Sequence, residues 1–190
     1  MLPNFDKLST EEIGKLFPIE IVPYRKEWIA LFENEKDLII NTLQGIGVLN
    51  IEHIGSTSII DLSAKPIIDI LIEVKTLNKE YKALIINIMK EIGYGNMSNS
   101  EKEKSMEFGK GYTPTGFAGQ AYHAHFREKN ADIQDEIYFR NYLRQNEKAK
   151  NEYASLKHSL SEKYKYNREA YTQAKTDFIK QILFYAKQNK

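Results

Sequence analysis

The stretch His53-Ile54-Gly55-Ser56-Thr57-Ser58, followed after a short interval by Ala64-Lys65-Pro66-Ile67-Ile68-Asp69-Ile70-Leu71-Ile72-Glu73-Val74, decides the fold class of this chain. Val48 to Ile54 is rich in β-branched residues and ends at Gly55, which reads as a strand feeding a loop over Ser56 to Ala64. Pro66 opens a second strand. Its apolar residues, Ile67, Ile68, Ile70, Leu71, Ile72 and Val74, run almost without interruption, as in a central strand covered on both faces. Asp69 breaks that run, and a buried carboxylate is costly unless it meets a cation or hydrogen-bond donors.

Helical periodicity flanks this core on both sides. Upstream, Trp28, Leu31, Phe32, Ile39, Thr42 and Leu43 recur at helical spacing until Gly45 and Gly47. Downstream, Leu77, Tyr81, Leu84, Ile85, Ile88, Met89 and Ile92 do the same, and Gly93 stops them. Ser9 and Glu12 form a capping box for a short leader helix within residues 1–18, ended by Pro18, and Ile19 to Tyr24 reads as a short strand. Asn96 to Lys104 reads as a polar loop, and Met106–Lys110 with Ala121–Glu128 as a hairpin around Gly111 to Gly119. After a cap at Asp132 the pattern turns helical, and three helices are expected over residues 132–190. The expectation is one domain over residues 1–190 of α/β (α+β) class. It has a mixed sheet of about four or five strands flanked by helices and a helical C-terminal region.

Composition narrows the function classes. In 190 residues, 42% apolar content is enough to bury a substantial core, and 12% aromatic content argues against disorder. A formal charge of +1, from 27 basic and 26 acidic residues, offers no broad field for a polyanion, so nucleic acid is disfavoured as a partner. Without cysteine there is no disulfide framework and no thiolate metal site, which fits a reducing compartment. No signal-peptide pattern and no apolar run of membrane-spanning length is seen, so the expected location is cytoplasmic, away from the membrane.

Five groups of residues carry candidate chemistry. Gly55-Ser56-Thr57-Ser58 combines a residue free to take positive φ with three hydroxyls and closely spaced amides, suited to phosphate oxygens; the competing reading is an ordinary polar turn. Lys65 sits just before the strand that carries Asp69, where it either pairs with that acid or neutralises a substrate phosphate. His123 and His125, two apart in an expected strand, point to one face, the geometry for sharing one metal or one phosphate. Arg140 and Arg144, four apart on a helix, form either an anion clamp or a solvated basic edge. His53 is positioned to hold the loop in shape.

The two runs quoted at the outset resemble the signature of the GrpB family, placed in the nucleotidyltransferase superfamily. Tyr24, Trp28, His123-Ala124-His125, Phe139-Arg140-Asn141-Tyr142-Leu143-Arg144, Tyr153, Lys157, Tyr171 and Lys175 extend the resemblance over most of the chain. It implies a polymerase-β-like nucleotidyltransferase fold, with Gly55-Ser56 as the glycine-serine loop and Asp69 as the first strand carboxylate. That superfamily attaches nucleotides to acceptors with magnesium ions held by two or three acids. Leu71 occupies the place of the usual second acid, and Glu73 lies about 13 Å from Asp69 along an extended strand, so His123 and His125 stand in for the missing acids. GrpB-like domains also occur fused to dephospho-CoA kinase in some bacteria, which implies an accessory role near nucleotide or coenzyme metabolism.

Three functions follow as expectations. The first is binding of a nucleotide or phosphorylated small molecule with metal-dependent nucleotidyl or phosphoryl transfer. There Asp69, His123 and His125 hold a divalent ion, Mg²⁺ or Mn²⁺, while the loop, Lys65 and the arginines grip phosphate. The second is a binding module of the same fold without turnover. The third is a hydrolase that uses the same three residues around a transition metal, since imidazole prefers softer ions. No organic cofactor is expected.

Overall fold

The computed structural model describes residues 5, 7–98, 104–129 and 134–188. Thr10–Leu16 forms α1, opened by the reciprocal Ser9–Glu12 capping box. Glu27–Thr42 forms α2, and the chain then enters β1, Val48–Ile54. A single 3₁₀ turn at Ser56–Ser58 leads towards β2, Ile67–Val74. Helix α3 (Lys79–Glu91) begins where the Asn78 side chain accepts from the Tyr81 amide, and it is followed by a very short β3 at Gly95–Asn96. Strands β4 (Ser105–Thr113) and β5 (Gly116–Glu128) form a hairpin. Helices α4 (Gln134–Gln145), α5 (Glu147–Lys163), α6 (Arg168–Ala174) and α7 (Thr176–Gln188) complete the chain.

The five strands lie in the order β1-β2-β5-β4-β3. Only the β2–β5 seam is parallel, so the sheet is mixed, as the sequence leads one to expect. Alternation along β2 divides the molecule. Ile68, Ile70, Ile72 and Val74 join Trp28, Phe32, Ile39, Ile85 and Met89 in an apolar core with α2 and α3. A smaller cluster, containing Ile59, Leu62, Leu143, Tyr153 and Ile182, ties the loop after β1 to the C-terminal helices. Among the described residues, no helix is long and apolar enough to cross a membrane.

Four expectations need correction. The strand expected at Ile19 to Tyr24 is one antiparallel bridge, Val22 with Ala64, because Pro23 has no amide to continue a ladder. The hairpin strands extend beyond Lys110 and begin before Ala121, so most of Gly111 to Gly119 is strand. Gly111, at φ 88°, absorbs the register shift between Lys110 and Tyr112. The polar loop begins after β3 takes Asn96, and residues 99–103 lie outside the description. The C-terminal region holds four helices rather than three, since the chain breaks at Lys175 between α6 and α7. The cap expected at Asp132 lies outside the described residues. The N-terminal helix expected from the capping box packs on the C-terminal region: Ile19 donates to the Lys165 carbonyl, and Gly14 abuts the Tyr166 backbone, where a Cβ would come within 1.8 Å of the carbonyl oxygen.

Candidate functional site

The face of β2 opposite the core presents Ile67, Asp69, Leu71 and Glu73. Register pairs Asp69 with His123 and Leu71 with His125 on β5, so both imidazoles fall beside the carboxylate. Asp69 Oδ1 lies 3.2 Å from His123 Nδ1 and 3.3 Å from His125 Nε2. Each histidine is also held at its other ring nitrogen. His123 Nε2 meets Tyr112 Oη at 2.6 Å, and His125 Nδ1 bonds Glu107 Oε2. Glu107 in turn accepts from Arg127 Nη1 at 2.6 Å, and Arg127 Nη2 reaches Glu136 at 3.3 Å.

The charges of this group follow from that wiring. Burial alone would raise the Asp69 carboxyl, but hydrogen bonds and charge from His123 and His125 hold it well below the usual carboxylate range. Burial would likewise lower His125, yet Asp69 and Glu107 on either side push it up to about 9. His123 goes the other way: burial lowers it, and Asp69 only partly restores it. The ligand atoms of Asp69, His123 and His125 all lie within 4.8 Å of one another.

Gly55 sets how closely the loop meets the acid. Its φ of 69° is in the region that side chains avoid, and a Cβ there would stand 2.3 Å from Asp69 Oδ2. The turn therefore lies directly over the carboxylate. Gly55, Ser56, Thr57 and Lys65 border a cavity of about 490 Å³ that also contains Asp69, His123 and His125.

Three expected site residues serve the loop from behind. Ser58 donates to the Gly55 carbonyl at 2.6 Å, and Arg144 donates to the Ser58 carbonyl at 2.7 Å. Arg140, buried, donates to Glu52 and to the His53 carbonyl, both at 2.8 Å. Both arginines and Ser58 line a separate hollow, so the structure does not bring them to the acid. Their four-residue spacing does place them side by side, but on the outer side of the turn. The Thr57 hydroxyl is also committed, donating to the Ile67 carbonyl at 3.3 Å and accepting from His53 Nε2 at 3.1 Å. His53 thus contacts the loop at Thr57, and its ring stacks on Phe32 at 4.5 Å.

Four contributors were not assigned a role from sequence: Glu107, Tyr112, Lys157 and Lys175. The two lysines enter the cavity beside Lys65. Lys157 donates to the Ser63 carbonyl and lies 4.7 Å from the Tyr153 ring centre, while Lys175 and Lys65 lie 4.6 and 5.4 Å from that of Tyr171. Among the described residues none of the three forms an ion pair. Burial, and then the neighbouring cations, push Lys65 and Lys157 down to about 7. A signal existed in the repeated Tyr-x3-Lys spacing: Tyr153 and Lys157 share one face of α5, and Tyr171 of α6 is followed at the same spacing by Lys175, just past the helix end.

The family model described as GrpB protein matches residues 18–184. The chain belongs to the GrpB family. The glutamate-rich protein GrpB of Alkalihalophilus pseudofirmus is 36% identical over 164 residues, covering 86% of this chain and 92% of that one. The crystal structure of the conserved protein GrpB from Enterococcus faecalis superposes with a TM-score of 0.78 at 30% identity, covering 90% of this chain and 98% of that one. The mixed sheet with flanking helices is therefore an architecture this chain shares with a GrpB protein of known structure. A slighter likeness, TM-score 0.47 at 12% identity over 80% of this chain and 43% of that one, is to the Cid1 poly(U) polymerase, too weak to bear on function.

Proposed function

We propose that this GrpB protein binds a phosphorylated small molecule, a nucleotide foremost, over a divalent ion held by Asp69, His123 and His125. The observation that carries the reading is the meeting, in one hollow, of three lysines that form no ion pair among the described residues and a carboxylate flanked by two imidazoles. Buried ammonium groups held low by desolvation recover their charge when an anion enters, so the cavity favours phosphate oxygens. Gly55 and Ser56 add a polar rim close to the acid.

The donor set fits a metal. Ligand atoms around one tetrahedral ion stand about 3.4 Å apart, close to the 3.2 and 3.3 Å that separate Asp69 from the two imidazoles, and each histidine carries the outer partner that orients metal-binding imidazoles. Two nitrogens and one oxygen suit Mn²⁺ or Zn²⁺ better than Mg²⁺. Such an ion would supply Lewis-acid stabilisation of phosphate charge.

Binding without turnover is the stronger form of this reading. Leu71, nearly fully buried, leaves Asp69 as the one acid of the candidate metal group among the described residues, and Glu107 is engaged with His125 and Arg127. Thermal shift and titration calorimetry with nucleoside triphosphates, with and without Mn²⁺ or Zn²⁺, test the proposal. A melting temperature raised only when both are present, and lost in Asp69→Ala, is expected. No response to any nucleotide under either metal would remove it. A nucleotide-modified product made by the wild type but not by Asp69→Ala would restore the transfer reading, and phosphate release under a transition metal the hydrolase reading.

A further inference from the structure

Lys65 and Ile67 border two hollows rather than one. The second, of about 410 Å³, lies beyond the start of β2 and is lined by Pro18, Arg25, Pro66, Phe117, Gln120 and Arg168 together with these two residues. Its cations are Arg25, Arg168 and the shared Lys65, against one acid, Glu20. Among the described residues Glu20 and Arg25 form no ion pair, so the arginine's charge is not spent within the fold.

Arg168 and Gln120 are held in place by hydrogen bonds. Arg168 donates from Nη1 to the Phe17 carbonyl at 3.1 Å and from Nη2 to Tyr112 Oη at 3.4 Å. Gln120 spends its Nε2 on the carbonyls of Pro66 at 2.9 Å and Ala121 at 2.8 Å, and its Oε1 has no partner among the described residues. Tyr112 links Arg168 to His123, and His123 touches Asp69, so polar contacts run from the second hollow to the candidate metal group. Lys65 borders both hollows, sharing the first with Lys175 and the second with Arg168.

We propose that the site has two chambers and that the second seats a second ligand by its anionic headgroup, a carboxylate or a phosphate, against Arg25, Arg168 and Lys65. This rests on the reading of the first chamber as a phosphate site. Two anions then meet across Lys65, and Phe117 with Pro18 offers apolar surface to the body of the second ligand. Gln120 Oε1 accepts from a hydroxyl or amine near the headgroup. A ligand pair of this kind, one phosphorylated and one a small acid or phosphate ester, is what a transfer enzyme or a sensor of two metabolites requires.

Titration calorimetry of the full chain with succinate and with inorganic phosphate, each with and without saturating nucleoside triphosphate and Mn²⁺, reads both chambers. One of the small anions is expected to bind with one-to-one stoichiometry even when nucleotide is saturating. Arg25→Glu, at an exposed position, is expected to weaken that event about tenfold or more, the scale of one charge-assisted contact, with nucleotide affinity changed by less than about twofold. Lys157→Met is expected to do the reverse. Succinate binding alone marks a carboxylate ligand, and phosphate binding alone a phosphorylated one. Loss of all small-anion binding once nucleotide saturates, or equal affinity in Arg25→Glu, overturns the second chamber. If nucleotide fails to bind while small-anion binding still depends on Arg25, the first-chamber reading falls and the second hollow stands.

Discussion

On one face of β2, Ile68, Ile70, Ile72 and Val74 are withdrawn from water beneath α2 and α3, whereas on the other, Ile67 and Leu71 alternate with the half-buried Asp69 and Glu73. The first face has only apolar volume to match. The second has a charge to satisfy, and it does so with imidazoles from β5 rather than with a cation of its own. Odd and even positions of one strand thus separate what stabilises the molecule from what equips it, and substitutions on the two faces are expected to differ in kind.

The largest effect belongs to the sealed face. Ile70→Ala empties a fully buried site and is expected to cost about 4 kcal/mol, read by urea unfolding, with the nucleotide and metal response of the surviving folded protein retained. Gly55→Ala comes next, since it forces a side chain onto positive φ and against Asp69. A loss of about 3 kcal/mol is expected together with weakened metal binding, and a variant as stable as wild type would mean that the turn is not held where it is drawn.

Lys157→Met reverses the sign. Its ammonium is pushed down to about 7 in the fold against 10.5 in the open chain, so the unfolded chain binds more protons between these values and wild-type stability rises with pH across that window. The variant is expected to gain on the order of 2 kcal/mol at pH 7, to show a smaller rise towards pH 10, and to lose phosphate binding. A variant less stable than wild type at pH 7 would show that the open face is not strained for its ligand.

The smallest effect concerns His53. Burial pushes its ring down to about 4, offset in part by Asp69, so the stability it confers is present above its ordinary value of 6.5 and is lost as pH falls from there towards 4. His53→Gln, whose amide can still donate to Thr57, is expected to flatten acid unfolding in that window by about 1 kcal/mol, measured from denaturation midpoints against pH. An unchanged acid limb would assign that lability to other groups.

Legibility in the sequence followed the same division between faces. The β-branched run Val48 to Ile54 matches its strand at both ends, and the apolar run Ile67 to Val74 gives its strand with only the opening one residue later than Pro66, because local pattern and tertiary environment agree there. Asp69 with His123 and His125 was readable as well, since one acid in an apolar strand and a same-face histidine pair each violate the local rule. Glu107 looks ordinary among many acids, and Lys157 and Lys175 show no more than a shared spacing after tyrosine; the register of β4 on β5 and the docking of α5 and α6 bring them into the site. The same limit explains Arg140 and Arg144, whose spacing fixes their mutual placement but not which side of the loop they meet.

The parallel seam has a consequence for when the molecule becomes competent. Asp69 and His123 are 54 residues apart in sequence, and the hairpin that carries the imidazoles can pair with itself without ever touching β2. A chain with that hairpin closed but unzipped from its parallel neighbour would hold two imidazoles and no acid between them. Under the proposed function, ion capture would therefore require the assembled sheet, and an ion bound there would clasp together the boundary that hairpin pairing leaves open.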